Sequence, residues 1–255
     1  MEGADLVAAG LAAGRWPQVV FVRAECADEL VRRLGLGGRD AAAGPPPAVF
    51  PVLEHVARKI GTLDSPADVL AVFDLPERRP FVPPAGTTDA LVVYADGIGD
   101  PGNLGTLLRA AVAFGVAAFV TAPGSADLYG PKTVRAGMGA VFALPLYPEV
   151  ALGDLVKRLP GAGVYGLVAH GGEPLPGAEL QRPAVLVVGA ERAGVSEQAR
   201  PHVTRTLTIP LAPDRPASVE SLNAGVAGAI ALYELSRRLG AANDQPPTPA
   251  APQEG

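Results

Sequence analysis

"ALVVYADGIGDPGNLGTLLRAAVAFGVAAFVTA", residues 90–122, decides the fold. The apolar run "ALVVYAD" (residues 90–96) reads as a strand buried on both faces, and "AAFVTA" (residues 117–122) reads as a second one. Between them Leu104, Leu107, Leu108, Ala111 and Val112 recur at helical spacing, which predicts a helix from Asn103 to Phe114 with one core-facing stripe. Strand, helix and strand within about 30 residues make the repeating unit of a parallel sheet. Arg109 lies off the apolar stripe, six residues after Asn103. Both have ordinary explanations: Asn103 is well placed to cap the helix, and a lone arginine usually faces water. Both could equally belong to a site beyond the carboxyl ends of the strands, where such sheets bind ligands.

The alternation continues downstream. "YGPKTVRAGMGAV" (129–141) reads as a helix, "ALPLY" (143–147) as a strand, "ALGDLVKRL" (151–159) as a helix, and "GVYGLVAH" (163–170) and "AVLVVGAE" (184–191) as strands. "TRTLTIPL" (204–211) closes the strand set before a long helix from Leu222 to Arg238. Upstream, "PQVVFVRAE" and "DVLAVFDLP" read as strands, and "CADELVRRLGL" and "PVLEHVARKIG" as helices, with "AAAGPPPAVF" (41–50) as an interruption. The expected organisation is a small α/β domain over residues 1–77, a Pro-rich linker over 78–88, an α/β domain with a parallel sheet over 89–240, and a Pro-rich disordered tail over 241–255.

The 255-residue chain is 48% hydrophobic, enough for a substantial core. Aromatic residues make up 5% and the net charge is −5, which argues against nucleic-acid binding by rows of stacking rings or by bulk charge, though a local basic surface remains compatible. One cysteine (Cys26) excludes an internal disulfide and a multi-cysteine metal site, and suits a reducing cytoplasm. The three histidines show no metal-ligand spacing, so no metal is expected. No apolar run reaches membrane-spanning length, and the N-terminus lacks the basic start of a signal peptide.

Two further stretches could carry chemistry. In "AVLVVGAERAGVS" a buried strand ends at Gly189, and Glu191 follows at the ligand end of the sheet; a solvated glutamate is the ordinary alternative. In "IPLAPDRPASVESLNAGVAGAI", Ser221 and Asn223 frame Leu222 at the mouth of a helix. Gly225 and Gly228 in that helix each cost about 1 kcal/mol against alanine, which suits a place where a ligand or a partner subunit approaches closely. "GAGVYG" (161–166) has G-x-G-x-x-G spelling but precedes a strand instead of opening a helix, so it is no dinucleotide site. No phosphate-loop signature and no G-x-S-x-G elbow occur.

Taken in order, these stretches resemble the three motifs of the TrmH/SpoU-type RNA ribose 2′-O-methyltransferases of the SPOUT class. "DPGNLGTLLRAAVAFG" is similar to the first, with its Asn-x5-Arg pair at Asn103 and Arg109. "VVGAERAGVS" is similar to the second, with Gly189 and Glu191, and the Ser221-Leu222-Asn223 stretch, with Ile209 and Pro210, to the third. "DLYGPKTVRAGMGAVFALPL" resembles a connecting segment of the ribosomal-RNA branch. "MEGADLVAAGL" and "GTLDSPADVLAVF" resemble parts of that family's small L30-like RNA-binding domain.

The resemblance implies a trefoil-knotted methyltransferase domain, a homodimer, S-adenosylmethionine as cofactor and RNA as substrate, with 23S ribosomal RNA as the expected target class. It implies cofactor contacts at Gly189, Ile209 and Leu222, and a catalytic set of Arg109, Asn103, Glu191, Ser221 and Asn223. Lys132 and Arg135 are expected phosphate contacts, although a solvated helix face explains them equally well. Arg109 would act on the ribose 2′-hydroxyl; because a guanidinium holds its proton, stabilising the alkoxide suits it better than acting as base. The family usually carries a basic arm before the "MEG" segment, where the given sequence begins, so either the start is misassigned or that grip on RNA is trimmed; Gly137 stands where serine is common, and Ala224-Gly225 where Val-Ser is common. Those departures bear on RNA affinity and target choice. The competing expectations are a catalytically silent RNA-binding or ribosome-assembly protein on the same fold, and a base-modifying or tRNA-directed member of the class.

Overall fold

The structure is a computed structural model that describes residues 1–38, 45–83, 90–216 and 220–240. Residues 84–88 of the expected linker and the expected tail, 241–255, lie outside the described residues. The N-terminal unit contains α1 (Ala4–Ala12), β1 (Val19–Arg23), α2 (Ala27–Arg33), β2 (Ala48–Val52), α3 (Glu54–Ile60) and β3 (Val69–Val72). Its sheet has the order β2-β1-β3, with β1 parallel to β2 and antiparallel to β3. Val20 and Val22 alternate with Val19 and Phe21 along β1 and turn into a core with Val7, Leu30, Leu36, Val69 and Ala71. Two elements escape the sequence reading. Helix α1 is one. The other is β2, which lies partly within the stretch expected to interrupt the unit; Pro51 is tolerated there because β2 is an edge strand.

The second unit contains β4 (Leu91–Asp96), α4 (Pro101–Ala113), β5 (Ala118–Thr121), α5 (Pro131–Ala136), β6 (Leu146–Tyr147), α6 (Leu152–Lys157), β7 (Gly163–Leu167), β8 (Glu173–Pro174), β9 (Ala184–Gly189), β10 (Arg205–Thr208) and α7 (Ala224–Gly240). The seven strands run in the order β6-β5-β4-β9-β7-β10-β8, and every pairing is parallel. Strand β4 shows why the sheet is central: Leu91, Val93 and Ala95 enter the core shared with α4 and α7, whereas Val92 and Tyr94 enter the opposite core shared with α6. Among the described residues no helix is long and apolar enough to cross a membrane.

Several boundaries differ from expectation, each for a local reason. Helix α4 begins at Pro101, not Asn103. Asp100 is its N-cap and accepts from the Asn103 amide at 2.7 Å, while Pro101 supplies a preset φ at a position that needs no amide proton. Asn103 is therefore not the cap. The expected helix over 129–141 ends at Ala136, because Met138 and Gly139 adopt φ of 49° and 80° before a 3-10 turn at Ala140–Phe142. The last helix begins at Ala224 and leaves Ser221, Leu222 and Asn223 outside it, in the loop that leads into the helix. Within the Pro-rich stretch, Phe81 is buried edge-on against Tyr147 with ring centroids 5.0 Å apart, and the Tyr147 hydroxyl donates to the Val82 carbonyl at 3.2 Å. Phe81 and Val82 thus lie against β6, the edge strand of the large sheet.

Candidate active site

Strands β9, β7 and β10 end side by side, and the loops that leave them enclose a cleft of about 170 Å³. Leu167, Val168 and Ala169 come from the end of β7, Val188 and Gly189 from β9, and Ile209 and Leu211 from the chain after β10. Leu222, Ala224 and Ala227 close it, with Glu191 and Ser221 as its polar members. Gly189, Ile209 and Leu222, from three successive chain segments, thus line one cavity. The floor is fixed by close chain approach: a Cβ on Gly189 would overlap the backbone of Gly194. Gly194 itself has φ 64°, and its amide donates to the Ala190 carbonyl at 2.8 Å, which turns the loop back on the strand end.

A polar network joins the three motifs at the rim of this cleft. The Asn103 Nδ2 donates to Glu191 Oε1, and Asn223 Nδ2 donates to Asn103 Oδ1 at 2.7 Å. Asn223 Oδ1 in turn accepts from the Val226 amide at 3.2 Å and caps α7. The chain of amides gives each side chain one direction: amide protons point toward Glu191, and carbonyl oxygens toward the start of α7. Helix α7 can bring Asn223 this close because Gly225 and Gly228 have no side chains. A Cβ on Gly225 would meet the Asn103 carbonyl at 3.0 Å and Thr106 at 3.2 Å, and one on Gly228 would run into Leu107. Within the chain, what approaches these glycines is helix α4; the sequence reading expected a ligand or a partner subunit there.

Arg109 stands apart. It is exposed on the outer face of α4 and, among the described residues, has no hydrogen bond or ion pair. Six residues of α-helix rotate it about 240° from Asn103, so the turn that aims Asn103 at Glu191 aims Arg109 elsewhere. The structure brings Asn103, Glu191 and Asn223 together, places Ser221 exposed beside them, and does not join Arg109 to them within the chain. Lys132 is exposed on α5, and Arg135 donates to Thr62 of the N-terminal unit at 2.9 Å.

Sequence reading missed one residue that builds the site. Asp96 ends β4 as a buried carboxylate, accepting from the Ser196 amide at 2.7 Å and from its hydroxyl at 3.0 Å. It holds the far end of the loop that carries Glu191. The available signal was an acidic residue closing a wholly apolar strand. Among the described residues no three His, Cys, Asp or Glu side chains converge as a metal site would require.

Comparison with known proteins agrees with this geometry. The chain is 34% identical over 174 residues to the 23S rRNA (guanosine(2553)-2′-O)-methyltransferase RlmP of Bacillus subtilis, covering 68% of this chain and 66% of the relative. It is 32% identical over 186 residues to the 23S rRNA (uridine(2479)-2′-O)-methyltransferase of Streptomyces viridochromogenes, covering 69% and 62%. The chain thus spans just under two thirds of the length of these relatives. The crystal structure of the SpoU methyltransferase AviRb from Streptomyces viridochromogenes, in complex with AdoMet, superposes with a TM-score of 0.78 at 25% identity, covering 93% of this chain and 89% of that one. Its mostly parallel α/β sheet is the same architecture. The family model described as the SpoU rRNA methylase family matches residues 90–233, more than half of the sequence and all of the sheet, cleft and network described above, and the chain belongs to that family.

Proposed function

We propose that this protein transfers a methyl group from S-adenosylmethionine to a ribose 2′-hydroxyl of RNA, with 23S ribosomal RNA as the substrate class. One observation carries the reading: Asn103, Glu191 and Asn223 form a hydrogen-bonded network on the rim of the cleft lined by Gly189, Ile209 and Leu222. The names of the relatives, 23S rRNA 2′-O-methyltransferases, and the AdoMet complex of AviRb support the substrate and the cofactor.

The cleft fits the cofactor in chemistry and size. Its walls are apolar except for Glu191 and Ser221, as suits a flat base with a few polar edges. At about 170 Å³ it is smaller than the roughly 300–1,000 Å³ usual for whole small-molecule sites, so it takes the adenine end and leaves the sulfonium end toward the rim. When bound, the cofactor supplies a methyl group on a cationic sulfur, open to in-line attack.

The chain's own residues then have distinct tasks. The Arg109 guanidinium stabilises the negative charge that develops on the 2′-oxygen. Asn103, held between Glu191 and Asn223, fixes the wall against which the target ribose is aligned; Ser221 adds a hydroxyl at the same rim. Lys132 supplies an exposed cation for an RNA phosphate.

A homodimer completes this arrangement. Arg109 faces away from the cleft of its own chain, so it serves the cleft of a second copy. Val226, Ile230 and Tyr233 form an exposed apolar stripe on α7, the helix packed beside α4, and such a stripe is what a second copy covers. The trefoil knot is supported by β9 lying between the earlier strands β4 and β7 and by the return of Gly194 onto Gly189. The N-terminal unit is read as the L30-like RNA-binding module, and a cytoplasmic location accords with a ribosomal substrate and a lone cysteine.

Calorimetry with S-adenosylmethionine, followed by methyl transfer to a 23S rRNA transcript, tests the proposal. Binding and transfer are the expected result. Binding without transfer to any RNA would make the protein a silent member of the fold, and no binding would remove the cofactor altogether.

A further inference from the structure

Arg135 does not stand free on its helix. Its Nη1 donates to Thr62 Oγ1 at 2.9 Å, across the seam between the two units. The same hydroxyl donates to Glu2 Oε1 at 2.7 Å, and the Thr62 amide donates to both oxygens of that carboxylate at 3.0 Å. A threonine hydroxyl has one proton; with that proton given to Glu2, its lone pairs are what the guanidinium meets. Glu2 is buried, so its charge is satisfied by Thr62 and faces the cation through it. The link therefore has a single sense, from Arg135 through Thr62 to Glu2.

Apolar contacts join the same two units. A Cβ on Gly139 would stand 2.6 Å from the Ala9 Cβ, the rings of Phe73 and Phe142 lie 5.3 Å apart, and Leu6 of α1 belongs to the large core. Beyond the seam, α5 transmits position without slack. A Cβ on Gly105 of α4 would stand 2.5 Å from the Thr133 carbonyl and 2.6 Å from the Ala136 Cβ. Helix α4 carries both Asn103 and Arg109.

We propose that Arg135 is a positioning residue: it seats the N-terminal unit on α5 through Thr62 and so sets where RNA gripped by that unit meets the catalytic helix. The inference rests on the RNA-methyltransferase reading above. It gives Arg135 a different task from the phosphate contact expected from sequence. Two binding surfaces held at a fixed spacing raise the effective concentration of the second contact once the first is made, and loosening the seat loses that gain.

The test uses the full-length protein, S-adenosylmethionine and a 23S rRNA transcript. Thr62→Val deletes the relay without touching a charge, and Thr62→Ser restores the hydroxyl. Losing one charge-assisted hydrogen bond shifts a docking equilibrium by about tenfold, so KM for the transcript should rise about tenfold in Thr62→Val while kcat and cofactor affinity stay within about twofold of wild type. Thr62→Ser should return KM to wild type. Arg135→Gln should raise KM by the same factor, and the double variant no further. The dependence of RNA affinity on salt separates the two roles: a positioning residue leaves the slope of log affinity against log salt unchanged, whereas loss of a phosphate contact lowers it by about one. A normal KM in Thr62→Val, or a reduced salt slope in Arg135→Gln, would overturn the proposal. Hydrogen exchange of the α1 peptide, expected to quicken in Thr62→Val and in Arg135→Gln but not in Thr62→Ser, reads the seat without RNA. Unchanged exchange in both deletion variants counts against it, and wild-type protein that transfers no methyl group would fault the function and not the seat.

Discussion

Arg109 and Asn103 lie six residues apart in sequence yet part company in space. Asn103 sits between Glu191 and Asn223, which are 88 and 120 residues away in the chain, and no local pattern could have announced those partners. Spacing placed Arg109 off the apolar stripe correctly, but it also suggested that Asn103 caps α4; Asp100 does so, because an Asp-Pro pair starts a helix one turn earlier. Removing the guanidinium should separate chemistry from binding. Arg109→Ala is expected to lower the methyl-transfer rate by about two to three orders of magnitude, the scale for a lost oxyanion donor, with the melting temperature and cofactor affinity retained. Leu222→Glu should do the reverse. It puts a charge into an apolar wall, so titration calorimetry should show S-adenosylmethionine affinity lost before the fold is; unchanged affinity would take Leu222 out of the cleft.

At the scale of elements, the central strands were legible because they are buried on both faces and apolar throughout, as β4, β7 and β9 show. Helix α4 was legible through its buried stripe. Elements whose existence depends on neighbours were not. Strand β8 has two residues and exists only as a partner of β10, and β2 contains a proline that only an edge position allows. Strand β4 also makes a prediction about pH. The Tyr94 hydroxyl donates to the Val150 carbonyl at 3.0 Å; burial, and secondarily the charge of Asp96, push its pKa from 10.0 up to about 12. The folded state thus favours the neutral phenol. That contribution is complete below pH 10, where the unfolded chain also keeps its proton, and is lost as pH rises from 10 toward 12. Urea unfolding at stepped pH should show wild type losing more stability over this window than Tyr94→Phe, and parallel curves would refute the assignment.

At the scale of the whole molecule, the role proposed for Arg109 requires an arginine exposed on α4 to reach a cleft that it does not line. The apolar stripe on α7 meets that requirement if a second copy covers Val226, Ile230 and Tyr233. An Ile230→Glu, Tyr233→Glu pair should convert a dimer to a monomer in light scattering and abolish methyl transfer, while each monomer still binds S-adenosylmethionine; full activity as a monomer would return Arg109 to its own chain. The N-terminal unit, seated on α5 through Thr62, would then present RNA to a site built from two copies. The most direct measurement is on the product. A 23S rRNA transcript is incubated with the protein and S-adenosylmethionine bearing an isotopically labelled methyl group, digested to nucleosides, and analysed by mass spectrometry. The account predicts label on the ribose of a single nucleoside, absent with Arg109→Ala; label on a base, or label that survives loss of Arg109 at the wild-type rate, would contradict it.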